Sequence, residues 1–321
     1  MNSLKAVSVG YRVKDLFEDR KTGQFHSVHS HSAYCSIRMR PLLLIHGSVL
    51  GGIPFGIGVD MGKGYFKEVG LCRGMRVHIS DRSLCIPAAD FCIEFGDAKV
   101  WYPENNRPAH FSLPRAEANF EQALQLVARM GSGQGLGELS LVLNDLFLEQ
   151  GNGAEHLNLL CQACFEPLTQ LISGIKKNDL AQVENALPCL IGLGIGLTPS
   201  MDDLITALIS TLYLLCDRLP GGFEFVSAIG ERISRLSRSR TTLVSHTNLV
   251  YASRGDRFEI LDDLIWSILS SSGEDLVEKV GKLISFGATS GTELAIGLLL
   301  GMKLALDGGS EMNALSMRPL H

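Results

Sequence analysis

Residues 192–204, Gly-Leu-Gly-Ile-Gly-Leu-Thr-Pro-Ser-Met-Asp-Asp-Leu, restrict the fold more than any other stretch of the chain. Gly192, Gly194 and Gly196 alternate, so the backbone is free to take positive φ or to lie close against another group. Thr198 then offers an N-cap hydroxyl, and Pro199 suits the first helical position, where an N–H would have no partner. Asp202 and Asp203 follow, and Leu204–Cys216 is mostly apolar. The pattern predicts a glycine loop that becomes a buried helix. The free N–H groups and positive dipole end of such a start suit an anion. The plain alternative is a glycine-rich connection that caps a core helix.

A second segment repeats the arrangement. In Gly287-Ala288-Thr289-Ser290-Gly291-Thr292-Glu293-Leu294 a glycine again precedes a threonine by two residues, an acid follows four later, and an apolar helix comes next. In the first loop those places belong to Gly196, Thr198 and Asp202. If the two starts converge, the backbone N–H groups near Gly194, Gly196 and Gly291 and the hydroxyls of Thr198, Ser200, Thr289 and Ser290 form one anion cup. The alternative is two separate helix caps.

Asp202 and Asp203 would repel a bare phosphate. A Mg²⁺ ion shared between a carboxylate and substrate oxygens removes that conflict. Neighbouring helical residues point about 100° apart, so one aspartate faces the ligand. Asp202, on the face of Thr198 and Thr206, is the first choice and the candidate metal ligand. Arg240-Thr241-Thr242, with Ser245 and His246, makes a third polar group at a helix start. Arg240 there would grip a phosphate or carboxylate bidentately, or else be a surface arginine beside two caps. His246 reads as a general acid or base, or as a structural histidine. Asp202, Asp203 and Arg240 are thus the candidate catalytic groups. Thr241 and Glu293 join the glycines and hydroxyls named above as the candidate substrate-binding set.

Around these segments the period of the chain changes once. Up to about residue 100 the apolar runs are short and β-rich: 6–13, 33–38, 42–45, 77–79 and 91–95, separated by turns such as Gly51-Gly52-Ile53-Pro54. They predict a small antiparallel β-barrel or sandwich over 1–110. Residues 101–114, rich in Pro and Asn, read as a linker. From 115 to 321 apolar residues recur at helical spacing, including 139–148, 157–175 and 180–189, and predict a mainly α-helical domain that carries the glycine loops. The fold class is therefore α+β.

Composition excludes several functions. Net charge is −5 and pI about 6.0, which argues against a nucleic-acid or anionic-membrane surface. The runs 204–216 and 294–306 are shorter than the ~20 residues of a membrane span, and no secretory signal opens the chain, so the expected compartment is cytoplasmic. In that setting the eight cysteines are expected to be reduced and buried, Cys161 and Cys164 included. His26, His29 and His31 make no convincing ligand set, since at period two only the last pair shares a face. No GK[ST] follows the glycines, and no nucleophile elbow or HExxH occurs.

Gly194–Asp203 resembles the Gly-x-Gly-Leu-Thr-Pro-Ser-Gly-Asp-Asp signature of a family long classed as a domain of unknown function, whose members include the AllH-type subunit of oxamate carbamoyltransferase. Arg240-Thr241-Thr242 with Ser245, Gly287–Gly291, the early Gly52-Ile53-Pro54 and the β-rich first third are similar too. Met201 departs from a usual glycine, Ala288 from a common histidine and Glu293 from a usual aspartate. The resemblance implies carbamoyl transfer in allantoin (purine) catabolism, interconverting oxalurate and phosphate with oxamate and carbamoyl phosphate, together with other protein subunits. Two alternatives stay open: a non-catalytic scaffolding or binding subunit, and a stand-alone kinase or phosphatase.

Overall fold

The structure, a computed structural model, describes residues 2–17, 22–37, 41–60, 65–103, 111–148, 153–270, 272–273 and 275–316. The chain divides into two compact units: Met1–Asn105 with Arg257–Asp262, and Asn106–Asp256 with Asp263–His321. Part of the 101–114 linker lies outside the described residues.

The first unit is a β-barrel. Its strands are β1 (Asn2–Gly10), β2 (Thr22–Val28), β3 (Ser32–Ser36), β4 (Leu43–Gly47), β5 (Gly56–Val59), β6 (Arg76–Ile79), β7 (Ser83–Ile86), β8 (Phe91–Glu94) and β9 (Lys99–Trp101). They pair in the order β5-β4-β3-β2-β6-β7-β8-β1-β9, and a further β1–β5 pairing closes the ring. Most neighbours are antiparallel, but β4–β5, β1–β8 and β1–β9 run parallel. The long β1 allows this: Asn2–Lys5 pairs with β8, and Ser8–Gly10 continues along β9. Phe25, Ile45, Ile57, Leu84, Phe91 and Ile93 point inward and are wholly or almost wholly buried, each worth about 1.5–3 kcal/mol. Gly52 of the Gly-Ile-Pro turn lies flat against the Trp101 indole, where a Cβ would come within 2.1 Å of the ring.

The expectation of eight reduced, buried cysteines is corrected at several positions. Cys85 of β7 and Cys92 of β8 form a disulfide. Antiparallel register makes them direct partners, with Cα atoms 4.1 Å apart. Cys72 and Cys189 are exposed, and only Cys35, Cys161 and Cys164 are free and buried.

The second unit is helical: α3 (Leu113–Met130), α4 (Leu159–Lys176), α5 (Leu180–Leu190), α6 (Ser200–Leu214), α7 (Gly222–Arg240), α8 (Leu243–Ala252), α10 (Leu276–Ile284) and α11 (Ser290–Ser316), with α9 (Glu259–Leu269) entering from the 257–262 segment; α1 (Val13–Phe17) and α2 (Tyr65–Glu68) are short helices of the barrel unit. The helix expected at 139–148 is instead two 3₁₀ turns, Gly137–Leu141 and Leu143–Phe147. Val142, at φ −120° and ψ 19°, breaks the ladder between them. No helix among the described residues is long and apolar enough to cross a membrane.

The centre of this unit is the α6–α11 pair. Every residue from Ser200 to Leu212 is buried. Gly297 lets the α11 backbone touch α6, since a Cβ there would lie 2.0 Å from the Leu204 carbonyl. One turn on, a Cβ at Gly301 would lie 2.7 Å from the Thr211 side chain. Ser290 lies beside Thr198, Gly297 beside Leu204 and Gly301 beside Leu208 and Thr211. Both sequences ascend together, so the helices run parallel and start at the same end. That geometry places their positive dipole ends side by side.

Candidate functional site

The glycine loop is shaped by what lies against it. Gly192 has φ +85°, and a Cβ there would lie 2.1 Å from the Arg240 carbonyl oxygen. Gly194 has φ +121° and passes so close to the start of α6 that a Cβ would lie 2.5 Å from the Ser200 nitrogen. Gly196 is exposed at the tip with Ile195, which is 90% exposed. Among the described residues, no acceptor engages the backbone N–H of Gly194, Gly196 or Ser200.

Thr198 does not cap α6. The N-cap is Pro199, and the Thr198 hydroxyl donates to Asp203 Oδ2 at 2.9 Å. Helical spacing pairs Thr198 with Asp202, but Thr198 and Pro199 precede the helix, which begins at Ser200, so the 3.6-residue period does not reach them. Asp202 faces the other way. Its Oδ1 accepts the Gly192 N–H at 2.8 Å and its Oδ2 accepts the Thr241 hydroxyl. Thr242 caps α8, receiving the Ser245 N–H at 3.1 Å, and its hydroxyl donates to the Leu197 carbonyl at 2.6 Å. A third helix start is thereby tied to the loop. Burial raises the Asp202 pKa, opposed by the Thr241 and Gly192 hydrogen bonds and the nearby Ser245 hydroxyl.

On the α11 side, Ser290 Oγ lies 3.3 Å from Thr198 Oγ1. Asp203 is buried beneath both hydroxyls. Its pKa stands well above the usual carboxylate range, first because of burial and further because of the Glu293 charge, against the pull of Ser290 and Thr198. Glu293 is fully buried, and neither of its oxygens completes a hydrogen bond, although the Ser200 and Thr289 hydroxyls and the Leu136 N–H stand near. Burial raises its pKa as well. Thr289 and Ser290 are half-buried at the mouth.

Other expected members stand elsewhere. The Gly291 N–H donates to the Phe286 carbonyl at 2.8 Å, and its α-carbon packs on the end of α10, so it presents no donor to the cup. The exposed Arg240 guanidinium donates to the Pro188 carbonyl at 2.9 Å. His246 is buried with Nδ1 2.9 Å from Ser237 Oγ. Met201 turns into the core, and its N–H closes onto the Leu193 carbonyl at 3.0 Å. For a metal the donor set does not fit: both Asp202 oxygens already accept hydrogen bonds, and among the described residues no group of three or more His, Cys, Asp or Glu is arranged to hold one.

Sequence reasoning missed one wall of the site. Residues 131–137, Gly-Ser-Gly-Gln-Gly-Leu-Gly, fold over the start of α11. The Ser132 N–H donates to Thr292 Oγ1 at 2.9 Å, and Gly135 lies so close to Glu293 that a Cβ would come within 2.3 Å of Oε1. The signal was present, since glycines alternate here as they do at 192–196, but no capping residue or acid follows to mark a site.

Two family comparisons match the chain. Residues 190–302 match the family described as oxamate carbamoyltransferase subunit AllH, and residues 5–100 match the AllH family N-terminal domain. No solved structure matches it.

Proposed function

The chain belongs to the AllH family, that of an oxamate carbamoyltransferase subunit, and from that premise we propose that it binds a small anionic metabolite where α6 and α11 start. The metabolite is carbamoyl phosphate, or the oxamate or oxalurate that exchanges with it in allantoin breakdown. The observation that carries the reading is the parallel α6–α11 pair, whose adjacent starts bring Thr198 and Ser290 within 3.3 Å. Two dipole ends and two hydroxyls then converge on one point.

In this reading the Gly194, Gly196 and Ser200 N–H groups and the Thr198, Ser200, Thr289 and Ser290 hydroxyls hold the anion. Asp203 orients the Thr198 and Ser290 hydroxyls from behind, with the buried Glu293 close to it. Asp202 and Thr241 hold the loop against α6, and the Gly192 contact brings the Arg240 backbone to its edge. Catalysis consists of positioning and fixed dipoles, completed by the other subunits of the complex. A second reading, a non-catalytic scaffold subunit, draws on the same Asp202 network, because its hydrogen bonds are all internal.

Titration calorimetry of the protein with carbamoyl phosphate and with oxamate, each in Mg²⁺ and in EDTA, separates the readings. Binding that survives EDTA and is lost in Ser290→Ala supports the cup. No binding, with full activity of a complex reconstituted from the Ser290→Ala chain, establishes the scaffold. Turnover of ATP or of a phosphoester by the isolated chain would overturn both.

A further inference from the structure

We infer that Asp203 is a positioning residue that sets the polarity of the cup, so that an anion binds at Thr198 and Ser290 only together with a proton on Asp203. This rests on the anion-cup reading and deepens it. Thr198 spends its one hydroxyl proton on Asp203 Oδ2, and its oxygen lies 3.3 Å from Ser290 Oγ. A hydroxyl has one proton and two lone pairs, and an ionised carboxylate only accepts. With Asp203 ionised, Thr198 therefore turns its proton inward and shows lone pairs to the mouth, which repel an anion. A proton taken from solvent onto Asp203 reverses this. The carboxyl O–H donates to the Thr198 oxygen, the Thr198 proton swings outward to the anion, and no other bond is made or broken.

A second observation points the same way. Glu293 is fully buried at the same end of the pair, with neither oxygen hydrogen-bonded. Among the described residues the charged groups that act on Asp203 are Glu293 from α11 and Asp202 from its own helix. Neighbouring buried carboxyls with no basic side chain acting on them among the described residues resist joint ionisation, so the pair keeps a proton within reach of the cup.

The test uses the full chain and inorganic sulfate, which stays a dianion across the working pH range. Calorimetric titrations are run in buffers of low and high ionisation enthalpy. Above the carboxyl pKa wild type takes up about one proton per sulfate and its Kd rises about tenfold per pH unit, and below it both effects fade to nothing. Asp203→Asn, whose amide permanently donates to Thr198, binds sulfate with no proton uptake and a flat pH profile. Thr198→Ser keeps the wild-type linkage and Thr198→Val loses it, which decides the matter even if Asp203→Asn fails to fold. Wild-type binding with neither buffer-dependent heat nor a change of Kd across the pH range, or undiminished proton uptake in Asp203→Asn, overturns the inference and leaves the cup standing. No sulfate binding by wild type at any pH overturns the cup itself, and the inference with it.

Discussion

Replacing Asp202 by alanine removes the acceptor of two hydrogen bonds at once, the Gly192 N–H at 2.8 Å and the Thr241 hydroxyl. Both donors are partly buried. Each one left without an acceptor costs about 1–2 kcal/mol, the lower part of the range for buried polar groups. The substitution also relieves the burial of the carboxylate itself, the cause of its raised pKa. The net expectation is a loss of about 2 kcal/mol, or roughly 4–8 °C for a unit of this size. Asparagine keeps one oxygen for Gly192 and turns its NH₂ toward the Thr241 oxygen, so Asp202→Asn costs about 0–1 kcal/mol. The chain has two tryptophans, Trp101 in the first unit and Trp266 in the second. In a Trp101→Phe background, urea unfolding followed by fluorescence reports the helical unit alone. An alanine variant within about 0.5 kcal/mol of its parent, or an asparagine variant as damaged as alanine, would refute the stapling role.

Three further outcomes follow from the geometry. Carboxyls whose folded pKa is raised stabilise the fold fully only below the ordinary carboxylate range, and that stability is lost as pH rises through the raised value. Asp203→Asn should therefore be more stable than wild type at pH 8 and little different near pH 4, with a shallower fall of stability between; an unchanged slope removes Asp203 as its source. Gly297→Ala drives a Cβ to 2.0 Å from the Leu204 carbonyl, so it should cost more than about 2 kcal/mol by urea unfolding; a neutral outcome would contradict the close α6–α11 contact. Under denaturing, non-reducing conditions a thiol reagent should titrate six of the eight cysteines, while a count of eight would mean that Cys85 and Cys92 are not joined.

The α6 and α11 starts were legible because glycine, hydroxyl, acid and apolar run follow one another along the chain and need no long-range knowledge. Their convergence was not, since Gly297 and Gly301 show only that close packing is allowed and not which helix does the packing. It is Asp203 and not Asp202 that meets Thr198, for a related reason. A helical wheel applies only inside the helix, and Thr198 sits before it. Four strands went unnoticed: β2, β5, β7 and β9 are short, polar or glycine-bearing, and what holds them is pairing with strands distant in sequence or across a turn, β5 and β9 with β1, β2 with β3 and β6, and β7 with β6 and β8. The disulfide was hidden because the register that pairs Cys85 with Cys92 is a property of the sheet.

The charges at this end of the helical unit decide what it can hold. A helix start behaves as about half a positive charge, so the starts of α6, α8 and α11 together offset roughly one to two carboxylates. Asp202, Asp203 and Glu293 all lie there. Fully ionised, they outweigh the dipoles, and an incoming anion meets net negative charge in a place where burial leaves little water to screen it. One proton on the Asp203–Glu293 pair brings the balance near neutral, and the outward hydroxyls then tip it in favour of the anion. A divalent cation would achieve the same neutrality, but Asp202 has no free oxygen to share with it, and Asp203 is covered by Thr198 and Ser290. Protonation needs no such opening. The acids that looked out of place beside a phosphate are therefore compatible with one, provided that binding carries a proton with it.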